Sequence, residues 1–207
     1  QRKPAVYLIC GFIGAGKTTF ARKLEEETGA VRITKDEWSI RLIGNDPTID
    51  GYATWDHKIV GLSRDVAFYL AEKGIDVIID EGFWGKEQRD EMRRRTAAIG
   101  AKAILYYVET PIETIRERVV ARNNNFTKDS FEISREMLDN YLMHWQPPGD
   151  DEDYILAGEV EKVYQFLVPP EDSRQSLHVA DQLRQRIPAD HYDVDAAIVA
   201  VVAATAL

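Results

Sequence analysis

A chain of 207 residues and 23.6 kDa is the size of one compact domain with room for a small appendage. Its balance of 44% hydrophobic to 29% charged residues excludes a disordered chain, and its longest uncharged apolar run, the 12 residues 196–207, is too short for a bilayer core that needs about 20. The net charge of −9 gathers at the C-terminal end, with 4 basic and 12 acidic residues over 147–207 against 22 and 23 over 1–146, so the body lacks the broad basic footprint that long nucleic acid requires.

Residues 5–10 are a short apolar run rich in Val, Leu and Ile, and 17–27 follow with helical periodicity, which predicts strand, loop and helix. The pattern recurs as a strand over 31–33, a long amphipathic helix over 54–72 closed by Gly74, and a near-continuous apolar strand over 75–79. A helix over 86–98 stops at Gly100, a strand spans 103–108, Pro111 suits the first turn of a helix reaching 122, and a last helix covers 134–144. Unbroken apolar strands separated by helices mark parallel strands covered on both faces. The expectation is therefore a doubly wound, three-layer α/β fold with a central parallel sheet of about five strands. Composition breaks at 146–153 and at Pro169-Pro170; beyond them 173–186 reads as a helix and 195–207 fits helix or strand equally. The expected division is a domain over 1–170 and an acidic appendage over 171–207, dispensable for chemistry.

Directly after the first strand stands Gly11-Phe12-Ile13-Gly14-Ala15-Gly16-Lys17-Thr18, which satisfies G-x-x-x-x-G-K-[ST] at every fixed position. In such a Walker A loop the glycines let successive backbone N–H groups turn inward around a β-phosphate, and the following helix presents its positive end. Lys17 reaches the β- and γ-oxygens and Thr18 can ligate magnesium, so residues 11–19, Thr19 included, predict ATP or GTP binding. A plain glycine-rich turn capping a helix would need neither Lys17 nor Thr18. Asp80 ends the buried strand and is followed by Glu81. Ligands of α/β sheets gather at that edge, where a carboxylate can hold magnesium through water, or simply cap the next turn.

Three further stretches carry a family resemblance: Thr34-Lys35-Asp36-Glu37, Asp80-Glu81-Gly82-Phe83-Trp84, and Arg116-Glu117-Arg118-Val119-Val120-Ala121-Arg122-Asn123. Over about residues 5–155 the chain resembles the P-loop kinases of the AAA-type ATP-binding group, whose relatives include polynucleotide kinase, zeta toxin, gluconate kinase and chloramphenicol phosphotransferase. The resemblance implies the P-loop NTPase fold with a small helical lid near 116–130, ATP with Mg2+, and a small-molecule acceptor such as a sugar, a nucleoside or a drug-like ring. It implies a carboxylate after the second strand that takes the acceptor's hydroxyl proton; Asp36 matches by position, and Arg41 is a candidate for binding the acceptor. The structural alternative for Asp36 is the N-cap of a helix over 37–43.

The resemblance also implies lid arginines. Arg118 and Arg122, four apart, share one helix face while Arg116 lies on another, and Asn123-Asn124-Asn125 would form the lid turn; a solvated helix face is the alternative. Polynucleotide kinases carry a second basic residue four after the lid Arg, where this chain has Phe126 and only later Lys128, which counts against a nucleic-acid acceptor. Residues 147–152 resemble the family's loop beside the nucleotide base, though by sequence alone they read as a linker.

Trp38 and Trp84 flank the expected chemistry and would suit an aromatic-lined acceptor pocket, or else core packing. Arg89, near the sheet edge, could meet an acceptor, whereas Arg93-Arg94-Arg95 fan around their helix and read as solvated. The four histidines show no metal spacing. The single cysteine, Cys10, reads as a buried strand end, and a chain without disulfides is expected in a reducing, cytoplasmic setting. Three other functions stay open: an NTP-binding conformational switch with no need of a base at 36, a toxin-like sugar-nucleotide kinase, and an interaction module using the acidic tail.

Overall fold

The computed structural model of the protein describes residues 2–46, 49–124 and 133–157, with the side chains of Arg122 and Asn124 outside the description. Strand β1 (Ala5–Cys10) is buried at all six positions, as its unbroken apolar run requires. Its alternate side chains enter two cores: Val6, Leu8 and Cys10 on one face, Ala5, Tyr7 and Ile9 on the other. Helix α1 (Lys17–Thr28) covers the second face through Ala21 and Leu24. After β2 (Val31–Thr34) and α2 (Lys35–Ile43), the long α3 (Tyr52–Glu72) covers the first face through Ile59, Val66, Phe68 and Leu70. Strand β3 (Val77–Gly82) and α4 (Lys86–Ala98) follow, with Met92 of α4 in the same core as α3. Then come β4 (Lys102–Tyr107), α5 (Ile112–Asn124), α6 (Arg135–Leu142) and β5 (Ile155–Leu156).

The five strands are all parallel in the order β2-β3-β1-β4-β5, so β1 lies at the centre with β3 and β4 on either side. The chain leaves β1 toward one edge of the sheet and returns to the other, which opens a crevice beyond the carboxyl end of β1. The expected α/β architecture is the one observed.

Several boundaries differ from expectation for local reasons. Helix α2 begins at Lys35, so Asp36 lies in the first turn and is not the N-cap; with Glu37 it places two carboxylates at the helix's positive end. The third strand starts at Val77 and runs on through Asp80 and Glu81, because pairing with β1 continues to Cys10↔Gly82 across a register shift. Asp76 just before it is engaged sideways, its Oδ1 accepting from the Ala5 amide at 2.8 Å. Ser134 caps α6, its Oγ accepting from the Met137 amide. A third apolar cluster of Phe12, Ile115, Val119, Ile133 and Leu138 seats α5 and α6 on the loop after β1. The expected appendage over 171–207 lies outside the described residues, as do Asn125, Phe126 and Lys128 of the lid segment. Among the described residues no helix is long and apolar enough to cross a membrane.

Candidate active site

Between Cys10 and α1 the chain makes a compact loop around its own backbone. The Ala15 amide donates to Phe12 O at 3.2 Å, and Gly14 and Gly16 take left-handed φ values of 75° and 97°, a conformation open to glycine at little cost. The Gly11 amide donates to Gly82 O at 3.1 Å, locking the loop to β3. A Cβ at residue 11 would stand 2.9 Å from Val108 O and 3.1 Å from Lys17 Cγ. Gly11→Ala is therefore expected to destabilise the protein by about 1–3 kcal/mol and to weaken nucleotide binding further, as thermal melting and nucleotide titration would register.

A cavity of about 520 Å³ opens at this end of the sheet. One end is the loop and the first turn of α1, with Gly14, Gly16, Lys17, Thr18 and Thr19 in its wall. The Lys17 ammonium donates to Phe12 O at 2.9 Å, and Arg118 of α5 reaches over the loop, its Nη1 3.3 Å from both Gly14 O and Ala15 O. Arg116 turns away to Asp139 of α6 at 2.7 Å. Asp80 is 3% exposed. Burial pushes its carboxyl above the usual range, opposed by the Lys17 charge, a hydrogen bond from Thr18 and the more distant Arg32 guanidinium. Its Oδ2 has no hydrogen-bond partner among the described residues.

The other end of the cavity carries Lys35, Asp36, Tyr52, Asp56, Glu81, Trp84 and Tyr141. Lys35 Nζ lies 3.0 Å from Asp36 and 3.3 Å from Asp56, while Ser39 Oγ donates to Asp56 Oδ1 at 2.9 Å. Glu81 is clasped by Arg64 of α3, whose Nε donates at 2.8 Å. Trp84 stands between Phe12 and Tyr141, with ring centroids 5.2 and 5.4 Å away.

Of the residues singled out from sequence, the structure brings Lys17, Thr18, Thr19, Asp36, Asp80, Trp84 and Arg118 to one cavity. Phe12 and Ala15 are loop residues turned into the interior, 3% and 4% exposed. Three others lie outside the cavity. Trp38 is 2% exposed in the core beside Ile33 and Ile59, so it packs and does not line the cavity. Arg41 lies exposed in the last turn of α2, away from the cavity wall. Arg89 is fully buried outside the cavity wall: its Nη2 and Nε donate to Glu152 at 2.6 and 2.9 Å, and its Nη1 to Phe83 O and Gln146 O, so four of its five N–H groups serve the fold. The Arg122 side chain lies outside the described residues. Cys10 is buried, and its thiol is pushed up to about 12 by burial, as suits a core residue. The residues that sequence reasoning missed are Lys35, Tyr52, Asp56 and Tyr141. Tyr52 and Asp56, four apart on α3, offered a faint helical-face signal.

A central parallel sheet whose first strand runs into a G-x-x-x-x-G-K-T loop, closed over by helices on the far side, defines the chain as an α/β protein of the P-loop kind. The model of the family described as AAA domain matches residues 6–148, and the chain belongs to that family. No curated protein matches the sequence. Solved structures do share the fold. Kti12 from Chaetomium thermophilum in complex with ADP-AlF3 is 19% identical, with a TM-score of 0.56 over 89% of this chain and 100% of that one. The Mycobacterium tuberculosis APS kinase CysC in complex with AMPPNP and APS is 17% identical, at 0.51 over 89% and 99%. A chain of the Pnkp1/Rnl/Hen1 RNA repair complex is 20% identical, at 0.58 over 70% of this chain; this chain spans only 44% of that one.

Proposed function

We propose that the protein is a kinase that binds Mg-ATP and transfers the γ-phosphoryl group to a hydroxyl of a small-molecule acceptor. The observation that carries this reading is a carboxylate outside the phosphate loop opening on the same cavity as Lys17 and Thr18: the Asp36 side chain, at 56% exposure, is accessible to a ligand there. A loop that only binds nucleotide needs no such group. The nucleotide complexes of the Kti12 and CysC structures support a nucleotide as the loop's ligand.

In this reading the backbone amides of residues 11–19 hold the phosphates, and Lys17 stabilises charge developing on the β,γ-bridge. Arg118, already held over the loop by the Gly14 and Ala15 carbonyls, adds a second cation at the transferring group. The acceptor oxygen forms a bond to the γ-phosphorus while the bond from that phosphorus to the bridging oxygen breaks. ADP leaves with the electron pair, and the hydroxyl proton passes to Asp36. The fold family implies magnesium, and the residues present fit it: the buried Asp80 carboxylate, one oxygen of which has no hydrogen-bond partner among the described residues, interacts with the Thr18 hydroxyl. Thr18 would ligate the ion directly and Asp80 through water. When bound, magnesium neutralises charge on the phosphates.

Asp36→Asn is expected to keep nucleotide binding within a few-fold and to lower transfer by about 10²–10⁴-fold, since an amide can hydrogen-bond but cannot take the proton. A screen of hydroxyl compounds for ADP release above the water rate, with mass analysis of the product, tests the reading. Equal loss of binding and turnover in the variant would leave Asp36 a structural residue, and nucleotide binding without any phosphorylated product would favour a conformational switch.

A further inference from the structure

We propose that the acceptor is a polyhydroxylated ring compound carrying no anionic group, and that Asp56 selects it. The proposal rests on the kinase reading above and names the substrate class of that site. Among the described residues, the acceptor end of the cavity is lined by the carboxylates of Asp36, Asp56 and Glu81 and by one cation, Lys35. Glu81 is satisfied by Arg64 from behind. Lys35 is already divided between two carboxylates, 3.0 Å from Asp36 and 3.3 and 3.4 Å from the two oxygens of Asp56. The remaining balance is one negative charge. A phosphate or carboxylate on the acceptor would have to share Lys35 with both partners and stand beside their like charge.

The hydrogen-bond inventory leads to the same class. Carboxylate oxygens only accept, so the three carboxylates at this end call for a ligand that brings donors, beside the Tyr52 and Tyr141 hydroxyls, which can donate or accept. Hydroxyl and ammonium groups do so; phosphate and carboxylate groups do not. Asp56 is the fixed member of the cluster, anchored by Ser39 Oγ at 2.9 Å on a helix that Arg64 ties to β3. Trp84 and Tyr141, packed edge to face with centroids 5.4 Å apart, give the cavity an aromatic wall that suits the face of a ring. In the transfer, the ring's hydroxyl oxygen bonds to the γ-phosphorus, the bond to the bridging oxygen breaks to release ADP, and Asp36 receives the proton.

The test uses the full chain with Mg-ATP and matched acceptors differing in one charge: methyl glucoside against methyl glucuronide, glucosamine against glucosamine phosphate, and adenosine against adenosine monophosphate. Within any pair that is phosphorylated, the uncharged or amine-bearing member is expected to show a kcat/KM higher by about tenfold or more. Asp56→Asn, checked for folding by its melting curve, is expected to shrink that gap by raising turnover of the anionic member. Preference for the anionic member overturns the proposed class while leaving the kinase reading intact. Equal loss on both members of a pair overturns selection by Asp56. If no member of any pair raises ADP release although nucleotide binds, the kinase reading falls and the proposal with it.

Discussion

Lys17→Ala is expected to lower phosphoryl transfer by about 10²–10³-fold, the scale of removing one preorganised charge-stabilising donor from a reaction centre. The loop itself should survive. Its shape comes from Gly14 and Gly16 in left-handed conformations, the Ala15-to-Phe12 turn and the Gly11-to-Gly82 bond, none of which involves the lysine side chain. Among what the fold loses is the hydrogen bond from Lys17 Nζ to Phe12 O, about 1 kcal/mol, or about 2–4 °C in melting temperature for a chain of this size. Stability and turnover should thus separate cleanly, by melting on one side and ADP release with acceptor on the other. Wild-type turnover in the variant would remove the lysine from the chemistry.

The largest effect on stability is expected at Glu152. Its side chain and that of Arg89 are each 1% exposed and joined by two hydrogen bonds, with Arg93 adding a third contact at 2.9 Å. Glu152→Gln keeps the shape but leaves the buried Arg89 charge uncompensated, which should cost about 3–5 kcal/mol, on the order of 10 °C in melting temperature. The acid limb gives an independent reading. The Arg89 hydrogen bonds, with help from Arg93, hold the Glu152 carboxyl down at about 2 against an ordinary 4.5. A depressed carboxyl stabilises the fold above its ordinary value and loses that contribution as pH falls from about 4.5 toward 2. The wild type should lose stability through that window and the Gln variant should lose less. A variant that melts with the wild type would show the pair to be replaceable.

The same pair reaches the cavity. Arg89 Nη1 donates to the carbonyl of Phe83, a non-glycine residue held at φ 47°, directly before Trp84. Loosening that clamp releases a strained turn and with it the aromatic wall. In the Glu152 variant the acceptor's KM should therefore rise more than the nucleotide's Kd.

What was legible in the sequence was whatever depends on neighbours along the chain. The β1 run, the 86–98 helix and the phosphate loop are local patterns, and each lies where periodicity and spacing put it. The two-residue β5 was not legible, because its pairing with Tyr106 and Tyr107 is supplied entirely by the sheet. For Arg89 and Trp38 the sequence could not choose between a cavity and a core role, because their surroundings come from far away: the arginine's partner is 63 residues on, and the tryptophan shares a core cluster with Ile59 of α3. Asp56 was missed for the same reason, since nothing in a helix of mixed polarity says that its second turn faces Lys35 across 21 residues.

Arg32 gives the two helices that flank the cavity a common counter-ion. Buried in β2 at 5% exposure, it donates to Glu25 of α1 and to Glu37 of α2, each at 3.0 Å, and lies 4.0 Å from Asp80 of β3. One helix carries the phosphate loop's threonines and the other carries Asp36. A single guanidinium thus ties the helix of the phosphate loop to the helix of Asp36. A tilt of either helix would strain the ion pairs of the other, behind the cavity rather than in its wall.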